Sequence, residues 1–553
     1  MILSTPASLF IVAFALATFK VWQFLVIGYW KMPLAFFPAT DLLGETHRRH
    51  LAWIQRHFLS TWTLPVGSIA MAFALTPWWS WEGLDPNHVL RPIILLASGS
   101  ITWRAVTMDV DLSTGTWHPG CRGLMLVAWA GVWGHPAFLI LLLHTGVTWL
   151  RSNYHHQHLA LRVLFMFLAS LGALPLAETL NAWLGYEGQA NPTVPVLFLF
   201  LCVSASHYLV PGLQKLRLGP HPASWLIDNR LHHIFISAYL WGWIRFLPQK
   251  KVLGFARQIG PFDRLFQAIT LGIELGSLFI LFDARLCLAL LVSFVALQGM
   301  IFLLSGILFW HFMVVNVVLA WSIWNLPAPL ASSLFGWENG LLAAGILLLF
   351  PCRDKVWNPQ RLAWWDTCFV GRVHYAVKGK SGSWYGLNND FMCPDERIFG
   401  QSYGAFLTHE KRITKHIGET PMREQFDAIR AAGSDLSKIE EAKQRWGQDR
   451  YDPDLESVHD SHIKAFIRNF NAGHRKQVVP GWIKAPGGQW FYWSELPRFD
   501  GQEPVDELVV DYREQYFDGE HIRLVTEQRL KHFTFRSDLG ASAADASEIA
   551  PKT

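Results

Sequence analysis

A lysine closes one long apolar stretch of this chain. TVPVLFLFLCVSASHYLVPGLQKLR runs from Thr193 to Arg217, and Lys215 stands just past a Pro-Gly break at 211–212. Burial disfavours an ammonium, so a lysine at the end of an apolar helix can lose its proton near neutral pH and act as a base. The same placement also suits a lysine that snorkels its charge to a polar surface. His207 and Tyr208 precede Lys215 by one or two helical turns, so either can face the same cavity or hydrogen-bond between helices instead. Glu274 lies inside the apolar run LGIELGSLF. A carboxylate there either lines a site or pairs with a nearby Arg or His. His155, His156 and His158 (SNYHHQHL, 152–159) can cluster near Lys215 to stabilise an anion, or they form a His-rich loop end. Spacing alone does not show the convergent geometry that a metal needs, and no metal is expected.

Other polar groups have blander readings. His459, Asp460 and His462 lie close together on an expected helix and read as a solvated face, with a metal site as the other use of that spacing. Asp109 and Asp111 fall where an apolar run ends and read as a solvated loop. The chain has no Gly-x-Ser-x-Gly, no His-Glu-x-x-His and no P-loop, so hydrolase and nucleotide chemistry have no support. Six cysteines form no CxxC pair, which leaves only a single Cys352–Cys368 or Cys368–Cys393 bridge open.

The elements that must hold these residues divide the 553-residue chain in two. Up to about residue 351, long apolar runs with few charges dominate; from 352 the composition is that of a soluble protein. The first run carries Lys20 but no basic leader or cleavage site, and reads as an uncleaved span. The basic loop THRRHLAWIQRH (46–57) points to a cytoplasmic side. Further runs follow at about 61–79, 88–107, 122–149, 159–184, 193–213, 231–247, 265–283, 286–325 and 336–351. His135-Pro136 breaks the 122–149 run, 286–325 is long enough for two helices, and 231–247 is short enough to lie at an interface. Several of the 28 Trp, among them Trp78, Trp79, Trp81, Trp149, Trp183 and Trp225, sit at run ends, as membrane-interface residues do.

Past residue 351, HYAVKGKSGSWYGL (374–387) alternates about a Gly-Ser-Gly turn, and Asp518-Gly519 separates two alternating runs, so both read as hairpins. Residues 404–472 carry helical spacing. The expected fold class is therefore an all-α polytopic membrane bundle of about nine to eleven spans, followed by a soluble α+β or mostly β C-terminal domain. Its divisions are N-terminal spans to residue 120, a membrane core over 121–351, a soluble domain over 352–538 and a disordered tail over 539–553. The expected setting is the cell or inner membrane, with the lipid bilayer as partner. A net charge of +4 without a basic aromatic patch argues against nucleic acid.

Four pieces in order resemble the vitamin K-dependent γ-carboxylase family and its bacterial relatives, which share the HTTM domain. YLVPGLQKLR (208–217) is similar to the family's Tyr-Phe-x-Ala-Gly-x-x-Lys-Leu-Asp segment, with its lysine on Lys215 and a Trp following at Trp225. LGIELGSLFILFDAR (271–285) resembles a Gly-rich span ending in Phe-Phe-Asp-x-x-Arg, and VALQGMIFLLSGILFW (295–310) a Phe-His-Cys-Met-Asn segment. SNYHHQHL resembles an Asn-Asn-His-x-Tyr-Leu segment. The resemblance covers roughly 150–325 and implies an HTTM-like core within 121–351. It implies Lys215 as the base on vitamin K hydroquinone or menaquinol, with oxygen and carbon dioxide consumed and a peptide or small molecule modified. Gln298 stands where the family has its His and Ile301 where it has Asn, and SLGALPLAETLNAW (170–183) holds no His where the family has a His-bearing segment. The other reading these departures support is a non-catalytic or transporter-like membrane protein that keeps the bundle.

Overall fold

The apolar part of the chain folds as helices in the computed structural model, which describes residues 5–31, 63–110, 112–113, 119–146, 158–186, 192–353, 356–357, 359–387, 391, 404–474, 476–488, 490 and 495–535. The helices are α1 (Pro6–Lys31), α2 (Thr63–Ala74), α3 (Leu90–Thr107), α4 (Pro119–Gly134), α5 (Phe138–His144), α6 (His158–Trp183), α7 (Thr193–Leu216), α8 (Leu231–Trp241), α9 (Gln249–Ile259), α10 (Asp263–Gly276), α11 (Ala284–Ser305), α12 (Trp310–Trp324) and α13 (Trp337–Leu349). Among the described residues, three helical stretches are long and apolar enough to cross a membrane: Leu159–Trp183, α7 and α11. Helix α12 and the short helix Ala328–Leu334 make a fourth if the bent pair is taken as one.

Sequence explains where these helices stop and which way they face. Gly134 ends α4 before His135-Pro136, as the proline requires. The 286–325 run splits at Gly306, whose φ of 71° suits a residue without a Cβ. Asp283 starts α11 by accepting the Arg285 and Leu286 amides at 2.9 and 3.0 Å. Helix α7 is apolar all round (VPVLFLFLCV), and its most apolar window is entirely buried between α6, α10, α1 and α13. Helix α11 turns Leu286, Val292, Met300 and Leu303 outward.

Helix α10 inverts the usual amphipathic pattern. Its inward stripe is polar: Asp263, Gln267, Glu274 and, in the turn that follows, Ser277 are all buried. Leu265 and Ile269 are exposed, as are Phe262 and Phe279 just beyond its ends. These spacings of four, seven and three residues keep the polar groups on one face of a helix with 3.6 residues per turn.

The C-terminal region holds a two-stranded ladder, β1 (Trp365–Asp366) with β4 (Glu419–Thr420). It also holds a four-stranded antiparallel sheet in the order β3-β2-β5-β6. That sheet comprises β2 (Phe369–Gly379), β3 (Trp384–Leu387), β5 (Val505–Phe517) and β6 (Ile522–Thr534). Helices α14 (Arg423–Ala432), α15 (Leu436–Trp446) and α16 (Pro453–Asn471) pack on it. Both hairpins expected from sequence form, with Gly519 at φ 105° in the β5–β6 turn.

Among the described residues, several contacts join the two regions. Trp225 packs with Trp365 and Phe426, and Val370, Ile417 and Phe517 pack against α8 and α9. Further off, residues 476–490 lie across the ends of α3, α11 and α12. Here Trp103 donates to the Ile483 carbonyl at 2.7 Å, Trp310 to Pro486 at 3.1 Å, and the Leu308 amide to Gly488 at 2.8 Å. Asp109 is buried in this joint and bonds Lys476 and Lys484 at 2.8 and 2.7 Å, so it is not a solvated loop residue. Asp111, Trp149, Cys393, the 46–57 loop and the 539–553 tail lie outside the described residues. Cys352 and Cys368 are free thiols.

Candidate functional site

Lys215 and Glu274 meet in the interior. Lys215 is 9% exposed and Glu274 5%. Lys215 Nζ donates to Glu274 Oε1 and lies 5.1 Å from the ring centre of Trp225. The Pro-Gly break makes this contact reachable. Pro211 has no amide to donate, which leaves the His207 carbonyl without that helical bond. Gly212 then lets α10 approach: a Cβ there would stand 2.9 Å from the Cβ of Glu274. Such closeness is below normal contact, so the pair depends on a glycine at 212.

Three buried polar atoms of the α10 stripe are left without hydrogen-bond partners among the described residues: Glu274 Oε2 in the pair itself and, two turns earlier and about 10 Å along the helix, both polar atoms of the Gln267 amide. Gln267 is 0% exposed. Buried polar groups are nearly always satisfied, so the free carboxylate oxygen beside Lys215 is an acceptor that a ligand donor could fill. Chemically, the Lys215–Glu274 contact exists as ammonium and carboxylate or as amine and carboxylic acid, related by one proton moving along the hydrogen bond. A ligand hydroxyl that takes the place of Glu274 meets the amine directly.

The structure places the other expected residues in two further groups. His207 accepts from Arg162 Nη1 at Nε2, 2.8 Å, and donates from Nδ1 to the Val203 carbonyl, 2.8 Å, so it is a neutral imidazole committed to α6. Tyr208 OH accepts from Asn316 Nδ2 at 2.9 Å and Gln298 Nε2 at 3.4 Å, and its ring stacks on Phe294 at 3.7 Å. Asn316 in turn accepts from Ser204 Oγ at 2.7 Å. Tyr208 lies seven residues before Lys215, about 10 Å along the helix axis, so this network is a neighbouring layer of α7. Gln298 Oε1 is likewise without a partner among the described residues. Lys215, Glu274 and Trp225 are thus brought together, while His207 and the Tyr208–Gln298 pair are held apart from them. His155 and His156 lie outside the described residues, and His158 opens α6.

Sequence reading missed the wall that the C-terminal region supplies. Asp366 is buried beside this site. Its amide donates to Asn229 Oδ1 at 2.8 Å, and its carboxylate accepts from Asn229 Nδ2 at 2.7 Å and Trp364 Nε1 at 2.8 Å. Trp225 Nε1 donates to the Trp364 carbonyl at 3.1 Å, which links this wall to the ring over Lys215. Burial pushes the Asp366 carboxyl up to about 6, against those hydrogen bonds and the Lys215 charge. Glu419, its partner on the β1–β4 ladder, is pushed up to about 8 by burial and by Asp366. No local motif marks Asn229 or Asp366, because their pairing joins residues 137 positions apart.

In the C-terminal domain, His459 is fully buried, bonded to Tyr375 OH at 3.1 Å and to Asp460 at 2.9 Å. It belongs to the core face of α16 with Ile463, Phe466 and Ile467, not to a solvated face. That spacing of four, seven and eight residues was the available signal. No protein-family model, curated protein or solved structure matches the chain significantly.

Proposed function

We propose that this chain is a multi-pass membrane enzyme that uses Lys215 as a base on a quinol-type cosubstrate. Vitamin K hydroquinone or menaquinol with oxygen and carbon dioxide is the set the γ-carboxylase resemblance implies, with a peptide or small molecule as the group modified. The observation that carries the reading is the buried Lys215–Glu274 contact with an orphaned Glu274 oxygen beside it. The membrane setting is supported by the inverted α10 and by the outward Leu286, Val292, Met300 and Leu303 of α11. Exposed Trp183, Trp324 and Trp337 at helix ends, and exposed Trp482 and Trp490 on the 476–490 segment, suit a membrane–water boundary.

The residues present fit a ligand with hydroxyl donors. Glu274 Oε2 is an acceptor with nothing to accept, and the Gln267 amide offers both a donor and an acceptor. When bound, the quinol would supply the electrons that reduce oxygen. Lys215 would receive the hydroxyl proton at Nζ, Glu274 would hold the resulting ammonium, and Trp225 would cover it. The buried apolar helix α7 and the Trp225 ring would keep water from the site.

The pairing also favours a second reading. A lysine already held by a carboxylate can serve only to tie α7 to α10 in a non-catalytic or transporter-like bundle. Purified protein in lipid, given vitamin K hydroquinone or menaquinol and oxygen, separates the two. Quinone epoxide formed by the wild type and lost in Lys215→Ala is the expected result. No epoxide from folded wild type, or equal epoxide from Lys215→Ala, would overturn the base assignment.

A further inference from the structure

A half-open cavity of about 260 Å³ lies where α8 and α9 meet the C-terminal domain. It is distinct from the Lys215 site and independent of the chemistry proposed there. His232 and His233 line it from α8, Arg257 from α9, Arg430 from α14, and Tyr516 and Gly519 from the β5–β6 hairpin.

The two histidines are oriented from behind. Asp263, buried at the start of α10, accepts the His232 backbone amide at 3.0 Å and bonds its ring Nδ1 at 2.7 Å. His233 Nδ1 bonds the Asp366 carbonyl at 3.1 Å, and a carbonyl can only accept, so that nitrogen carries the proton. Both rings are left with Nε2 as the nitrogen available to a ligand, His232 held from behind by a carboxylate and His233 by a backbone carbonyl, which fixes ring direction. The ring of His232 also sits against Gly260, where a Cβ would come within 3.4 Å of Nδ1.

The cations around the cavity are not neutralised. Arg257 bonds the Gly519 carbonyl at 3.2 Å and Arg430 the Asp228 carbonyl at 3.4 Å. Arg230, adjacent in the chain to α8, bonds the carbonyls of Ile227 and Asn229 at 3.0 and 2.9 Å. Among the described residues, none of the three has a carboxylate within ion-pair distance. The acids here are already engaged: Asp518, which lines the cavity, with Arg523 and the Glu520 and His521 amides, and, nearby, Asp228 with Arg423 and Asp263 with His232. Guanidinium groups that keep their full charge beside imidazoles with a free acceptor nitrogen suit an oxyanion that still carries a proton.

We propose that this cavity binds a phosphate-type oxyanion, with Arg257 and Arg430 holding its charge and His232 Nε2 accepting its proton. A free phosphate compound and a phospholipid headgroup share that chemistry, and the test separates them. The full chain is placed in phosphatidylcholine nanodiscs and treated with diethyl pyrocarbonate. Carbethoxylation of His232 is then read by peptide mass spectrometry across a series of inorganic phosphate or pyrophosphate, with chloride of matched ionic strength as control. Phosphate protects His232 in the wild type, and Arg257→Gln/Arg430→Gln needs about tenfold more phosphate for the same protection, as expected for loss of a charged hydrogen bond. Arg257→Lys/Arg430→Lys, which keeps the charge, retains much of the protection and controls for folding. Protection in phosphatidic acid discs without added phosphate identifies a headgroup as the ligand; protection only by soluble phosphate identifies a free one. Phosphate no better than chloride in every disc, or protection unchanged in the Gln double variant, would refute the site.

Discussion

Lys215 and Glu274 can be separated experimentally into a partner for each other and a reagent for something else. Removing one member of a buried pair strands the other charge, so Glu274→Leu should cost about 3–5 kcal/mol of stability. Lys215→Met/Glu274→Leu together should recover most of that loss, as measured by denaturation in detergent. A double variant no more stable than Glu274→Leu would mean that the two groups are not energetically coupled. Asp366 gives a pH signature of its own. Its folded carboxyl titrates near 6, above the ordinary aspartate value, so the folded state binds more protons than the unfolded one between these values. Stability therefore falls as pH rises, by about 3 kcal/mol from this group between pH 4 and pH 7. Asp366→Asn should flatten that slope while lowering stability overall; an unchanged slope would assign it elsewhere. At this scale the sequence showed Lys215, Glu274 and the Trp225 that follows, because an ionisable group in an apolar run stands out without its neighbours. Asn229, Asp263, His232 and Asp366 were not legible, since each matters only through a partner brought to it by the fold.

Helix α10 is the element on which the site depends. Its polar stripe runs from Asp263, which holds His232 of the cavity, through Gln267 to Glu274, at the lysine. Gly212 sets how near this stripe lies to α7. Gly212→Ala should cost about 1–3 kcal/mol by overpacking and draw Glu274 away from Lys215. The expected readouts are a lowered thermal midpoint and reduced epoxide formation. A midpoint equal to that of the wild type would show that the helices yield without loss. The stripe was present in the sequence at 263, 267 and 274, but an apolar run attracts attention to its hydrophobic residues, and the inward direction of the polar ones depends on which neighbours surround the helix. Hairpins were read more completely, because Gly-Ser-Gly and Asp518-Gly519 define their turns locally. The pairing of β2 with β5 was not readable, since nothing near either strand names its partner.

For the whole molecule, the exposed apolar faces of α10 and α11 carry the strongest physical implication. Soluble proteins rarely keep large apolar patches exposed. The chain should remain in the membrane pellet after an alkaline carbonate wash, and recovery in the supernatant would contradict the bundle reading. The change from helices to a strand-containing C-terminal region was legible from composition. The joints across it were not, because Asp109 with Lys476 and Asn229 with Asp366 unite residues from opposite sides of that boundary.

The sheet order β3-β2-β5-β6 also bears on how the protein comes into being. Synthesis runs from the N-terminus, so the helices and β2 emerge well before Val505–Thr534. Until then β2 has an unfilled edge on its β5 side, and the Tyr516–Gly519 wall of the seam cavity does not exist. The cavity is thus finished only when the β5–β6 hairpin docks. A chain cut short before residue 505 retains Lys215 and Glu274 but leaves that cavity open on one side, so ligand retention there would report completed translation.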